Sequence, residues 1–170
     1  MSVAKSLRNL RERKEISQKA VANDMYVNPS YISKIEQEER EPTFSFVSQS
    51  ANALNDAQYG FELAHKTINS YITPLMTKNQ GIEWHRLALE ETFKVEAQEA
   101  IEHFNNVSLA KHPDFATVEE LSEIRKGVKE LLDVQASVNS FLAKLEQAYP
   151  FTVKECMQKR LPEWKSKGWI

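Results

Sequence analysis

The sequence predicts an all-α fold, and three observations carry that expectation. Helix formers (Ala, Leu, Glu, Lys, Gln) are plentiful, while a chain of 170 residues holds only 4 Gly and 6 Pro. Apolar residues recur at steps of three and four in most windows, and few segments alternate apolar and polar residues as a half-buried strand does. With 41% apolar residues there is enough to bury a core, at a length near the boundary between one and two domains.

Several function classes are excluded at this level. The longest apolar stretches are far shorter than a membrane span, and the N-terminus has no apolar core for a secretion signal, so a cytoplasmic protein without membrane contact is expected. Cys156 is the single cysteine, unable to form an internal disulfide or a Cys-based metal site, and reads as a buried or idle thiol or as a lone redox site. The histidines His65, His85, His103 and His112 are scattered. Only Glu62 with His65 has the Glu-x-x-His spacing of which a di-iron bundle needs two, so no metal and no cofactor is expected. No phosphate-binding glycine loop or nucleophile elbow is present, which argues against an enzyme. The formal charge of −2 argues against a uniformly positive surface. Residues 1–20 nevertheless hold Lys5, Arg8, Arg11, Arg13, Lys14 and Lys19 against Glu12 and Glu15, whereas residues 36–41 hold four glutamates and Arg40.

The N-terminal elements follow in order. Val3, Leu7 and Leu10 among bases read as an amphipathic first helix capped by Ser2. Ser17 is an N-cap, with Ile16 before it placed to pack on Val21 as a hydrophobic staple. Asn28 repeats the device, with Pro29 at the first helical position and Val27 placed to meet Ile32. Pro42 and Thr43 open a further helix whose apolar face reads as Phe44, Val47, Ala51 and Leu54. The starts at Ser17 and Asn28 leave room for about two helical turns and a tight turn, which is the spacing of a helix-turn-helix. Ala20, Val21, Met25, Val27, Ile32 and Ile35 close its small core, leaving Ser30, Tyr31, Ser33, Lys34 and Gln37 outward.

On these residues the first 65 positions resemble the XRE, or lambda-repressor-like (Cro-type), helix-turn-helix family. The resemblance rests on Ile16-Ser17-Gln18, Ala20-Val21-Ala22, the run from Asn28 to Glu36, Arg40-Glu41-Pro42, and Ala51-Asn52-Ala53-Leu54. It implies a five-helix DNA-binding domain over residues 1–65 that lays helix 28–37 in the major groove of an operator. It also implies that Gln18 lies against a phosphate, the alternative being an exposed capping glutamine. Pro29, Ser30, Ser33 and Lys34 become the candidates for base edges, with Tyr31 at the boundary and Asn28, Gln37 and Arg40 completing the DNA-facing set. Lys34 is the natural guanine reader. Arg11 and Glu36 match a pair that braces the first helix against the third. Two departures stand out: Tyr26 occupies a turn position usually given to glycine, so an altered turn is expected, and Glu38 and Glu39 stand where the family prefers glycine and a base.

Beyond residue 57 the pattern changes to longer helices. Phe61, Ala64, Ile68, Tyr71 and Ile72 make one stripe, which Pro74 either kinks or ends by opening a short helix capped by Thr73. Gly81 marks a break. Leu89, Phe93, Ala97, Ala100, Ile101, Phe104 and Val107 make a helix of residues 83–107, and a loop surrounds His112, Pro113 and Asp114. Thr117 with Glu120 is a capping box, followed by Leu121, Ile124, Val128, Leu131, Gln135, Val138, Leu142, Leu145 and Tyr149 in heptads. Those heptads suit either a seam between subunits or the inner face of a bundle packed on residues 83–107. Leu132, Val134 and Phe141 widen the apolar face and favour the bundle, with part of the surface left for a partner. Pro150 stops this helix, and a second capping box, Thr152 with Glu155, opens the last one toward Trp164 and Trp169.

The sequence therefore predicts a sequence-specific transcription regulator, a dimeric repressor. Residues 66–170 form an all-helical bundle domain of four helices that pairs subunits or holds a protein partner. The alternative is an adaptor or an antitoxin that uses its helical region to hold another protein and binds DNA weakly or not at all.

Overall fold

The computed structural model describes residues 2–76 and 83–170, and these hold eight α-helices, a single 3-10 turn and no strand. Gly81 lies outside the described residues. Contacts divide the chain into two compact units, Met1–Ile72 with Glu146–Ile170, and Thr73–Leu145.

The first unit is built on α1 (Val3–Arg13), α2 (Gln18–Asp24), α3 (Pro29–Glu36), α4 (Phe44–Leu54) and α5 (Ala57–Thr67). Each starts on a side chain that accepts a backbone N–H: Ser2, Ser17, Asn28, Thr43 and Asp56 in turn. Leu7, Leu10, Val21, Met25, Ile32 and Ile35 are buried at the centre, where α1 packs on α3 and α5 and α2 packs on α3. Ile16 and Val27 pack against this core from the linkers.

Two expected faces are corrected. On α4 Phe46, Ser50 and Leu54 are buried, whereas Phe44 is 74% exposed, because it is the first helical residue and points off the helix start. The Ser50 hydroxyl meets the Tyr59 hydroxyl at 2.9 Å, and burial pushes the Tyr59 phenol up to about 12, which keeps it neutral. On α5 the buried residues are Tyr59 and Leu63. The stripe through Ile68 and Tyr71 is not helical: α5 ends at Thr67, and both side chains are exposed. Asn69 and Ser70, which favour local turns over helix, follow at once.

α8 (Val153–Ser166), read from the sequence with residues 66–170, makes its contacts in this first unit. The Glu146 carboxylate accounts for that. It accepts the N–H of Ala57 and the N–H of Val153, both at 2.7 Å, and so satisfies the first residue of α5 and of α8 with one group. Lys154 Nζ adds a bond to the Asn52 carbonyl at 3.0 Å. The capping box of Thr152 and Glu155 is formed.

The second unit pairs α6 (Arg86–Asn106) antiparallel with α7, which runs Val118–Ala148 and leaves this unit at Leu145; the 3-10 turn Pro113–Phe115 lies between them. The Thr117–Glu120 capping box is formed in both directions. Pro74 neither kinks a helix nor opens one. The segment 73–76 is not helical, as the aversion of the residue before a proline to helix favours, and α7 side chains accept its N–H groups: Gln135 from Thr73 and Ser140 from Met76, each at 2.8 Å.

The heptad face of α7 is not the buried one. Gly127, Ala136, Ser137, Ser140 and Ala143 are buried, while Leu121, Val128, Leu131 and Leu132 are exposed. Two surroundings explain this. At Gly127 the space of a side chain is taken by α6 rings, since a Cβ there would stand 2.5 Å from Phe104 Cζ and 2.9 Å from His103 Cδ2. Ala136, Ser140 and Ala143 lie on another side of α7 by helical spacing, where Ser140 meets the segment 73–76. Phe93 and Phe141 stack at 6.2 Å further along.

Gly127→Ala decides between two effects of opposite sign. Helix propensity favours alanine by about 1 kcal/mol, and overpacking costs about 1–3 kcal/mol. Denaturant unfolding is expected to show net destabilisation; a gain in stability would contradict the close packing of α6 on α7.

Candidate nucleic-acid interface

Three consecutive helices stop in the same way, and these stops aim α3. After α1, α2 and α3 the chain turns through a left-handed residue, Glu15 (φ 54°), Tyr26 (φ 52°) and Glu38 (φ 61°). At each stop the next N–H reaches back five residues: Ile16 to the Arg11 carbonyl at 3.0 Å, Val27 to Ala22 at 2.9 Å, and Glu39 to Lys34 at 2.9 Å. Tyr26 thus keeps the geometry that glycine supplies elsewhere, and the expected alteration of the turn does not occur. Its side chain is 97% exposed, so no packing offsets a strain of about 1–2 kcal/mol.

The third helix is fixed through its last residue. Glu36 is buried, and its carboxylate takes a two-pronged bond from Arg11, Nε to Oε1 at 2.9 Å and Nη2 to Oε2 at 3.0 Å. Gln18 Nε2 donates to Oε2 at 2.9 Å, and the Arg8 guanidinium donates to the Glu36 backbone carbonyl. Helices α1, α2 and α3 therefore meet on one carboxylate. The hydrogen bonds to Glu36 raise the Arg11 pKa further above its ordinary value, so the guanidinium stays charged.

With Ile32, Ile35 and Glu36 turned inward, helical spacing places Ser30, Ser33, Lys34 and Gln37 together on the opposite face of α3. Ser30, Lys34 and Gln37 are exposed and Ser33 is half-buried. Pro29 is exposed at the helix start, and the Asn28 side chain accepts the Ser30 N–H at 2.9 Å. Tyr31 packs edge-on against Phe46 at 5.3 Å, with the Arg40 guanidinium over its ring at 4.7 Å. Gln18 sits at the start of α2; one hydrogen of its amide is committed to Glu36, and the second is left for an outside acceptor.

The basic excess of the first twenty residues is mostly spent inside the domain. Arg8 and Arg11 serve Glu36, while Arg13 pairs with Asp56 at 2.6 Å and Lys14 with Asp56 at 3.8 Å. Lys14 also donates to the Leu54 and Asn55 carbonyls at the end of α4. Lys5, Lys19 and Lys34 are exposed, with no ion pair to the described residues. Sequence reasoning missed Asp56 as the second anchor of α1, although an acid at an N-cap facing a basic helix was the available signal. It also missed the Ser2 hydroxyl, which donates to the Glu38 carboxylate and engages one of the two acids after α3.

Comparison with known proteins bears on this unit. Residues 7–55 match the family model described as helix-turn-helix, a span from within α1 to the end of α4. Over that span, under half of the chain, the protein is similar to helix-turn-helix domains. Neither the curated proteins nor the solved structures give a match to this chain.

Glu36→Gln leaves Arg11 with no anionic partner in a largely buried place. The expected loss is about 3 kcal/mol of unfolding free energy, the low end for breaking a buried ion pair. Chemical denaturation measures it, and a loss below about 1 kcal/mol would mean that the carboxylate does not hold the three helices.

Proposed function

We propose that the chain is a sequence-specific DNA-binding transcription regulator, acting in the cytoplasm as a dimeric repressor that lays residues 28–37 in the major groove. The observation that supports this most is the division of α3: its inner face is locked by Ile32, Ile35 and Glu36, and its outer face presents small and polar side chains with one lysine. Such a surface can enter a groove without steric conflict. Lys34 supplies the hydrogen-bond donor suited to guanine O6 and N7, while Ser30, Ser33 and Gln37 offer shorter contacts. Gln18 and Lys19 at the start of α2 suit backbone phosphates, and Pro29 together with the Asn28-capped turn brings the start of α3 close to base edges. Arg40, held over Tyr31, flanks the same face. Two copies double the half-site, and occlusion of a promoter is the simplest mode of repression for this architecture.

A second reading, an adaptor or antitoxin that engages a protein through its helical region, draws on the exposed run Glu38, Glu39, Arg40 and Glu41 and on the internal use of four N-terminal bases. Both features lower phosphate affinity. Salt dependence separates the two readings.

Under the DNA reading, affinity for a promoter duplex falls steeply as salt rises from about 50 to 200 mM. Lys34→Ala is expected to cost about 1–3 kcal/mol at the preferred site and much less on unrelated duplex. Titration by fluorescence anisotropy tests both. Binding indifferent to salt, or an unchanged ratio between specific and unrelated duplex in the variant, would favour the adaptor.

A further inference from the structure

The unit of α6 and α7 has two unlike flanks. On one, Glu96 and Glu99 of α6 lie toward Glu130 and Asp133 of α7, and partial burial, helped by the negative charges of Asp133, Glu99 and Glu130, raises the Glu96 pKa. His103 Nε2 meets the Glu123 carbonyl on this same flank, at 2.9 Å. The other flank is apolar and open. Leu121, Val128 and Leu131 are 40%, 49% and 51% exposed, and Leu132 stands beside them. Helical spacing places Ile101, itself 55% exposed, on the α6 side of that flank next to Ala97 and Phe104. A contiguous apolar face of this kind on a folded chain marks an interaction surface.

We propose that a second copy of this chain covers the face, with the two α7 helices in parallel register over residues 118–132 and the α6 flanks closing a four-helix assembly. The inference deepens the dimeric reading above, on which it rests, by naming the surface and its register. Three observations select this occupant. First, Leu121, Ile124, Val128 and Leu131 fall at successive a and d positions, the spacing with which a helix packs against a copy of itself. Second, the charges at the seam edges are self-complementary in one orientation only. Glu120 occupies a g position and Arg125 the e position five residues on, so parallel register sets Glu120 of each copy against Arg125 of the other. Antiparallel packing matches g with g and e with e and forms no such pair. Glu120 is available for this: its bonds from Lys111 and from the Thr117 N–H both end on Oε2, and Oε1 takes part in neither. Third, the seam is open only where the chain leaves it open. From Gln135 to Leu145 it is half-covered, with Gln135 itself accepting from Thr73, whereas of the first four seam residues only Ile124 is half-buried. Pairing is thereby confined to the first half of α7.

Sedimentation of the full chain without DNA tests the occupant. The wild type is expected to run at twice the chain mass at micromolar concentration, and Leu131→Asp to run as a monomer with unchanged helical circular dichroism, since Leu131 is half-exposed. The register is read by Val128→Cys in a Cys156→Ser background: parallel a positions face one another within disulfide reach, so oxidised glutathione is expected to yield a covalent dimer. Glu120→Arg and Arg125→Glu should each weaken association about tenfold, and a mixture of the two variants should recover it as a heterodimer. A wild type that stays monomeric, or a dimer that survives Leu131→Asp, overturns the proposal. A dimer without the crosslink, or a mixture without recovery, overturns the parallel register. A monomer that still binds duplex DNA in a salt-dependent way contradicts this inference alone, whereas a dimer that binds no duplex contradicts the DNA reading alone.

Discussion

A single buried carboxylate organises the helix-turn-helix unit of this protein. Glu36 ends α3, is held on both oxygens by Arg11 of α1 and takes the amide of Gln18 from α2. Burying a charge costs several kcal/mol unless its lone pairs are occupied, and here they are occupied by donors from two other helices. Sliding or rotating α3 by a fraction of a turn would strand the charge. The apolar core fixes that α3 packs, and the carboxylate fixes how it is turned. That rotation is what matters for function, because it decides that Ser30, Ser33, Lys34 and Gln37 face away from the core.

The economy of the linkers contributes as much as the ion pair. Ile16 and Val27 each close the left-handed stop of one helix and pack on the core ahead of the next, so two residues define each corner. Glutamate and tyrosine at the left-handed positions sacrifice some stability that glycine would have supplied. Tyr26 is exposed there, and nothing it touches in the structure explains why glycine is absent.

The legibility of the sequence tracked the locality of the cause. Caps and stops depend on residues within a few positions of one another, and Ser2, Ser17, Asn28, Thr43 and Thr152 act as read. The Arg11–Glu36 pair followed from resemblance to a family, and no spacing rule would have found it. Features set by distant segments were not legible. Apolar spacing suited residues 121–149 both to an inward face and to a seam between subunits, and it gave no sign that Gly127 would be the residue facing Phe104 while Leu121, Val128 and Leu131 stay exposed. The stripe through Ile68 and Tyr71 had helical period, but period does not outweigh Asn69 and Ser70. Glu146, which joins two helix starts 96 residues apart in sequence, gave no local signal. Of the candidate interface, the outward residues of α3 were legible, while the internal use of Gln18, Arg8 and Arg13 required the fold.

The chain thus carries a compact helix-turn-helix unit braced by internal charges and, in a separate unit, a helical pair with one open apolar flank. The account stands or falls on whether α3 reads sequence. Selection of bound duplexes from a random pool by the purified full-length protein measures that directly. The account expects enrichment of a two-fold symmetric motif whose half-sites carry a guanine dependent on Lys34. A pool that remains random after successive rounds, at low as well as moderate salt, would contradict it.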